Sequence, residues 1–148
     1  MTEKLVQHIF DFWQIIDIVL KLVLAVLCGG LVGLIKGGDK NTVSFSTLIL
    51  TCFTSAFLVL VTMKLNISMY SIEISAAAIL IAFAIFGGSI IIGKQASLHS
   101  VINAITIWAV AGMGIAIGIG IFIVGIIAGI LLSILLNVIY SKILINSE

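Results

Sequence analysis

Two charged residues stand four positions apart at the start of a long apolar stretch, Asp17 and Lys21. Residues at i and i+4 share a helix face, so this carboxylate and this ammonium can form an ion pair. Ionisable groups in apolar stretches are costly and often functional, which leaves two interpretations open. One is a structural pair at an interface, with a snorkelling lysine, whose members could be exchanged with little effect on insertion or abundance. The other is an entry site for a cation or a proton.

A magnesium site would need one or two carboxylates together with several waters. The carboxylates close to apolar stretches are Asp17, Asp39 and Glu73. Glu73 is predicted to begin a helix, where its negative charge would stabilise the helix N-terminus. Asp39 is predicted to lie on the opposite side of the membrane from Asp17 and Glu73, so the three carboxylates cannot share one site. The two histidines, His8 and His99, are far apart in sequence. We therefore predict no metal site, no cofactor and no catalytic constellation, so the chain is not expected to be an enzyme.

Trp108 lies in the middle of an apolar run, where a tryptophan of the interfacial belt would not be found. Its indole N–H needs a hydrogen-bond partner when buried, and Asn103, Thr106 and Ser89 are the candidates. Trp108 is expected either to pack against another helix or to line a polar cavity.

The composition places all of these residues in a membrane protein. Of 148 residues, 62% are hydrophobic and 9% are charged, and the mean hydropathy is +1.41. Soluble domains carry about 25% charged residues, so that class is excluded. The net charge of +1 provides no basic surface of the kind that binds nucleic acid. Residues 101–140 contain no charged side chain. A single helix of this length would be about twice the thickness of the hydrocarbon core of a bilayer. They are expected to form two spans hinged near Gly118–Gly120.

The apolar runs are continuous rather than alternating, which favours helices over a β-barrel. The predicted fold is an all-α integral membrane protein, a compact bundle of about five transmembrane helices with no soluble domain. A single transmembrane domain would occupy residues 1–148, with a short N-terminal segment at 1–12. The predicted spans are 13–35, 45–63, 74–92, 98–117 and 119–140.

Lysines favour the cytoplasmic side of a membrane protein. Lys36, Lys40, Lys94 and Lys142 fall on one predicted side, and Lys4 and Lys64 fall on the other with several acidic residues. The amino terminus is therefore predicted outside and the carboxyl terminus inside.

Glycines spaced by four residues indicate where helices approach closely. Such spacing puts small residues on one face, and close backbone contact supplies much of the stability between helices in lipid. The predicted packing glycines are Gly29, Gly33, Gly87, Gly114, Gly118, Gly125 and Gly129. The fourth and fifth spans are expected to be held together by the last four of these.

Three segments resemble the MgtC/SapB family of bacterial inner-membrane proteins. DIVLKLVLAVLCGGLVGLIKG (17–37) resembles the first-helix signature, IAFAIFGGSI (81–90) the third-helix glycine motif, and WAVAGMGIAIGIG (108–120) the fourth helix. The order of the segments and the five-span layout also match. The resemblance implies a bacterial inner-membrane protein tied to magnesium homeostasis and, in some members, to restraint of the F-type ATP synthase.

Much of the family's polar signature is missing from this chain. The family's glutamate and arginine after the first-helix glycines fall on Ile35 and Lys36, and a threonine pair falls on Ile102 and Asn103. The sequence therefore favours a regulatory or interaction protein, linked to magnesium homeostasis or membrane energetics. The alternative is a small transporter or channel subunit for Mg²⁺ or another cation. Expected partners are the lipid bilayer and either another membrane protein or further copies of the chain.

Overall fold

The computed structural model describes residues 2–35, 43–65, 69–93 and 98–145. These residues form five helices and contain no strand. The helices are α1 (Thr2–Ile35), α2 (Phe45–Lys64), α3 (Met69–Gly93), α4 (Leu98–Ile119) and α5 (Phe122–Ile145). Each of them contains a segment long and apolar enough to cross a membrane. The predicted all-α membrane bundle is confirmed.

The sequence explains why the helices are uninterrupted. The chain contains no proline, so beyond the first turn each residue in the spans can donate its backbone N–H within the helix. In a bilayer, a helix satisfies all of its backbone groups internally, so long apolar segments adopt this conformation.

The turn between α4 and α5 lies at the predicted hinge. Gly120 has a φ of +100°, a conformation that glycine adopts without steric cost. Its N–H donates to the Ile117 carbonyl (3.0 Å), and the Ile121 N–H donates to the Ala116 carbonyl (2.9 Å). These two bonds form a Schellman motif, which ends α4 and lets α5 begin two residues after Gly120.

Two helix boundaries differ from the predicted ones in ways that affect candidate residues. Helix α1 runs without a break from Thr2, so residues 2–11 belong to the same helix as the first span, which itself covers Phe12–Leu34. Helix α3 begins at Met69, so Glu73 lies in its second turn and does not open the helix. The first turn of α3 contains no acidic residue, and the predicted stabilisation of its N-terminus by Glu73 is therefore not realised.

Helix α4 occupies the centre of the bundle and contacts all four other helices. Helix α2 packs extensively against both α1 and α4, whereas α3 is the least buried of the five. The C-terminus of α2 and the α4–α5 turn lie at the same end of the bundle, which we call the Lys64 end. The opposite end, where α2 begins, is the Phe45 end.

The interior combines small and branched apolar residues with a few polar ones. The main apolar cluster includes Ala25, Val32, Leu48, Cys52, Ala56, Ile107, Val110, Met113, Ile117 and Leu136. The buried polar residues are Thr51, Ser55, Ser100, Asn103, Thr106 and Ser133. The outer surface carries dozens of exposed leucine, isoleucine, valine and phenylalanine side chains. Polar groups inside and apolar groups outside are the arrangement expected of helices packed in lipid.

Candidate functional site

A cavity of about 620 Å³ lies between the first half of α1 and the second half of α2, near the Lys64 end. On α1 its polar lining residues recur at i, i+3 and i+7, which places them on one helix face. The described residues that line it are Trp13, Gln14, Asp17, Ile18, Lys21, Leu60, Met63 and Lys64. We call this space the α1–α2 cavity, and it contains most of the charged groups that the structure describes within the spans.

The predicted ion pair is present in this cavity. Lys21 Nζ lies 2.7 Å from Asp17 Oδ2. The two side chains differ in exposure, because Lys21 is 13% exposed and Asp17 is 54% exposed. The prediction of two interchangeable, snorkelling residues therefore does not fit Lys21, which points into the bundle. The pair links a mostly covered ammonium to a half-exposed carboxylate on the cavity wall.

Lys21 also contacts the turn between α4 and α5. Its Nζ lies 5.9 Å from the centre of the Phe122 ring, within the range of a cation–π interaction. The same atom lies 3.7 Å from the point that a β-carbon on Gly120 would occupy. Lys21 thus forms an ion pair within α1 and contacts the hinge between α4 and α5 through the Phe122 ring.

Lys64, the last residue of α2, closes the outer part of the cavity. Its Nζ donates a hydrogen bond to Gln14 Oε1 on α1, fifty residues away in sequence. Gln14 is neutral, so this bond holds α1 and α2 together without neutralising the Lys64 charge. From the sequence, Lys64 is predicted only to influence orientation in the membrane. The i, i+3, i+7 spacing of Gln14, Asp17 and Lys21 was the available signal for this polar face.

The described lining of the cavity carries two lysines and one aspartate, a formal charge of +1. The single carboxylate, Asp17, is already paired with Lys21. Among the described residues there is also no group of three histidine, cysteine, aspartate or glutamate side chains that could hold a metal ion. Glu73 is exposed on α3 and Asp39 lies outside the described residues. This chemistry suits an anion better than Mg²⁺, which prefers carboxylate oxygens.

Asn103 and Trp108, the candidates on α4, lie outside the cavity and on different sides of their helix. Asn103 is 2% exposed, and its Oδ1 accepts a hydrogen bond from the Val43 N–H (3.4 Å), two residues before α2 begins. Trp108 is 51% exposed, so about half of its side chain is left uncovered by the described bundle. The expectation that it packs against another helix or lines a polar cavity stays a prediction. Asn103 anchors the start of α2, whereas about half of the Trp108 side chain lies at the surface of the bundle.

The candidate glycines lie at helix contacts, but two of them face a different helix from the one predicted. A β-carbon on Gly114 would collide with Ser55 Oγ and the Cys52 carbonyl, and one on Gly118 would lie 2.9 Å from the Ala56 carbonyl. Both glycines therefore pack against α2, not against α5 as expected. Gly29 and Gly33 face α2, Gly87 faces Ala104 of α4, and Gly125 and Gly129 face α4.

Four apolar helices packed around a central fifth, with polar groups inside, define a multi-pass α-helical membrane protein. The family model of the MgtC family matches residues 22–143, which is most of the chain, and the protein belongs to that family. The family is related to magnesium homeostasis in general. Neither a curated protein nor a solved structure matches this chain. The matched region begins directly after Lys21, so the α1 wall of the cavity lies outside it while the α2 wall lies within it.

Proposed function

We propose that this MgtC-family protein is a regulatory or interaction protein of the bacterial inner membrane and does not itself carry Mg²⁺. The observation that supports the proposal is the charge of the α1–α2 cavity. Its described lining has two ammonium groups, and its one carboxylate, Asp17, is paired with Lys21. A divalent cation entering this space would meet a net positive charge and would have to displace Lys21 from Asp17.

The continuity of the helices also supports this proposal. Transporters commonly bind ions where helices are broken near the middle of the bilayer, because unwound segments expose carbonyl oxygens. In the described residues, each span is one continuous helix, and the α4–α5 turn joins two spans at the Lys64 end. The described spans therefore offer no backbone site of this kind for a cation.

Magnesium flux into liposomes tests the proposal directly. Purified protein is reconstituted into vesicles that contain a magnesium-sensitive dye, and protein-free vesicles and an ionophore provide the lower and upper limits. We expect flux equal to that of protein-free vesicles. Flux that rises with the amount of protein and falls in Asp17→Asn would favour the alternative, a transporter or channel subunit, and would refute the proposal.

Membrane energetics provides the positive test of a regulatory role. The resemblance to the MgtC/SapB family points to the F-type ATP synthase as the first partner to examine. Inverted membrane vesicles from cells with and without the protein are compared for ATP synthesis at equal proton-motive force. We expect slower synthesis when the protein is present. Equal rates would remove this enzyme as the partner.

A further inference from the structure

We propose that the α1–α2 cavity binds the head group of an anionic phospholipid. The lipid phosphate would lie beside Lys64, and the glycerol and the first part of an acyl chain would lie along the apolar wall. This inference rests on the cavity alone and holds whether the protein regulates a partner or transports an ion.

The charge on Lys64 is the first observation that supports the proposal. Its described partner is the neutral Gln14 amide, and the cavity's carboxylate is engaged by Lys21. Lys64 thus presents an ammonium whose charge no described carboxylate neutralises, at the edge of an apolar space. A phosphate oxygen could accept a charge-assisted hydrogen bond there, and a net negative lipid would offset the +1 charge of the lining.

The depth of the cavity is the second observation. Its outer residues, Trp13 and Lys64, lie at the ends of two spans, where tryptophan and lysine are characteristic of the membrane interface. Its inner limit, Lys21, is seven residues further along α1 than Gln14, about 10 Å at the rise of a helix. The cavity therefore extends from the level of lipid head groups to the beginning of the acyl chains.

The apolar lining is the third observation. Ile18 on α1 and the pair Leu60 and Met63 on α2 form the wall between the polar groups. A free phosphate ion would gain nothing from this wall, whereas a lipid would bury glycerol and methylene groups against it at about 0.8 kcal/mol per methylene. The volume of about 620 Å³ lies within the range of sites for small molecules, about 300–1,000 Å³. A lipid is therefore the occupant that can contact both the charged residues and the apolar wall of the cavity.

Native mass spectrometry of the full-length protein in detergent tests this proposal. Phosphatidylglycerol and phosphatidylcholine are titrated separately, since both contain phosphate but only the first is anionic. The wild type should bind phosphatidylglycerol more tightly. Lys64→Gln should lose about fivefold to tenfold of that affinity, the equivalent of one charge-assisted hydrogen bond. Lys64→Arg keeps the cation and should retain binding.

Two further variants separate a specific site from general attraction. Met63→Trp fills the cavity without changing charge and should also weaken binding. Lys142→Gln removes a lysine from the last turns of α5, near the Phe45 end, and should leave binding unchanged. Each variant is compared with the wild type by circular dichroism and thermal unfolding, and Met63→Trp provides the test if Lys64→Gln does not fold.

Several outcomes would overturn the proposal. One is equal affinity for the two lipids, and another is unchanged binding in both Lys64→Gln and Met63→Trp. An equal loss in Lys142→Gln would indicate non-specific attraction between lysines and anionic lipid. If inorganic phosphate at millimolar concentration displaced the lipid completely, the cavity would be a phosphate-ion site instead.

Discussion

Gly114 on α4 lies so close to Ser55 on α2 that a β-carbon at position 114 would overlap the serine hydroxyl. Ser55 cannot easily move away, because its hydroxyl donates to the backbone carbonyls of Thr51 (2.9 Å) and Cys52 (3.0 Å) on its own helix. The Cys52 carbonyl is itself part of the surface against which Gly114 packs. The two central helices therefore meet through backbone atoms, and any side chain at position 114 would separate them.

Gly114→Ala is expected to destabilise the protein by about 1–3 kcal/mol, the usual cost of inserting a methyl group into a tightly packed contact. Gly112→Ala is the matched control, because it is on the same helix and a β-carbon there has no neighbour within 4 Å. Within a helix, alanine is more stable than glycine by up to about 1 kcal/mol, so Gly112→Ala should be neutral or stabilising. Thermal unfolding in detergent measures both. Equal loss in the two variants would contradict this packing.

Asp17→Asn is expected to be more destabilising than Lys21→Met. The first change leaves a largely buried ammonium without its carboxylate, at a cost of about 1–3 kcal/mol. The second removes the buried charge and leaves Asp17 half-exposed on the cavity wall, which should cost less than about 1 kcal/mol. The double variant should be close to Lys21→Met alone, because removing the lysine removes the need for the aspartate.

Unfolding of the two single variants and the double variant in detergent provides the measurement. An equal cost for the two single variants would show that the pair is interfacial, as the sequence suggested. Exchanging the two residues gives a second test of this asymmetry. Because an aspartate at position 21 would place its carboxylate near Phe122, the exchanged variant should be less stable and less abundant than the wild type.

The sequence was sufficient to predict the helices and the hinge, because both depend on local chemistry. Long, continuously apolar runs favour helices in lipid, and Gly118–Gly120 interrupts the longest of them. The Asp17–Lys21 pair was predictable for the same reason, since its members are neighbours on one helix. Residues that are close in sequence and share a helix face need no knowledge of the rest of the fold.

The partner of each helix could not be predicted in this way. A glycine pair such as Gly114 and Gly118 marks a face but not the helix that covers it, and α4 has four neighbours. The contact between Lys64 and Gln14 joins residues fifty positions apart, so it depends on how α1 and α2 pack. The half-exposure of Trp108 could not be predicted from spacing, because Ala104, Ala111 and Ile115 share its side of α4 and are buried.

Asn103→Ala is expected to cost about 1–3 kcal/mol, because it removes the acceptor of the Val43 N–H and empties a fully buried polar position. Asn137→Ala is the matched control, since Asn137 is exposed on α5 and its loss should change stability by less than about 0.5 kcal/mol. Thermal unfolding in detergent again provides the comparison. If the two alanine variants were equally stable, Asn103 would not anchor the start of α2.

The orientation of the bundle in the membrane is predicted from its lysines. Reporter fusions after Lys40 and after Lys142 should both report a cytoplasmic location, because the lysines of the Phe45 end outnumber those of the Lys64 end and positive residues stay inside. A fusion after Asn66, in the connection between α2 and α3, should report the opposite side.

The difference of about two lysines between the two sides is small, and Lys64 is hydrogen-bonded to Gln14 within the bundle. Lys64→Gln should therefore strengthen the cytoplasmic signal at Lys40 or leave it unchanged. A periplasmic signal at Lys40 or Lys142 would reverse the orientation and place the α1–α2 cavity in the cytoplasmic leaflet.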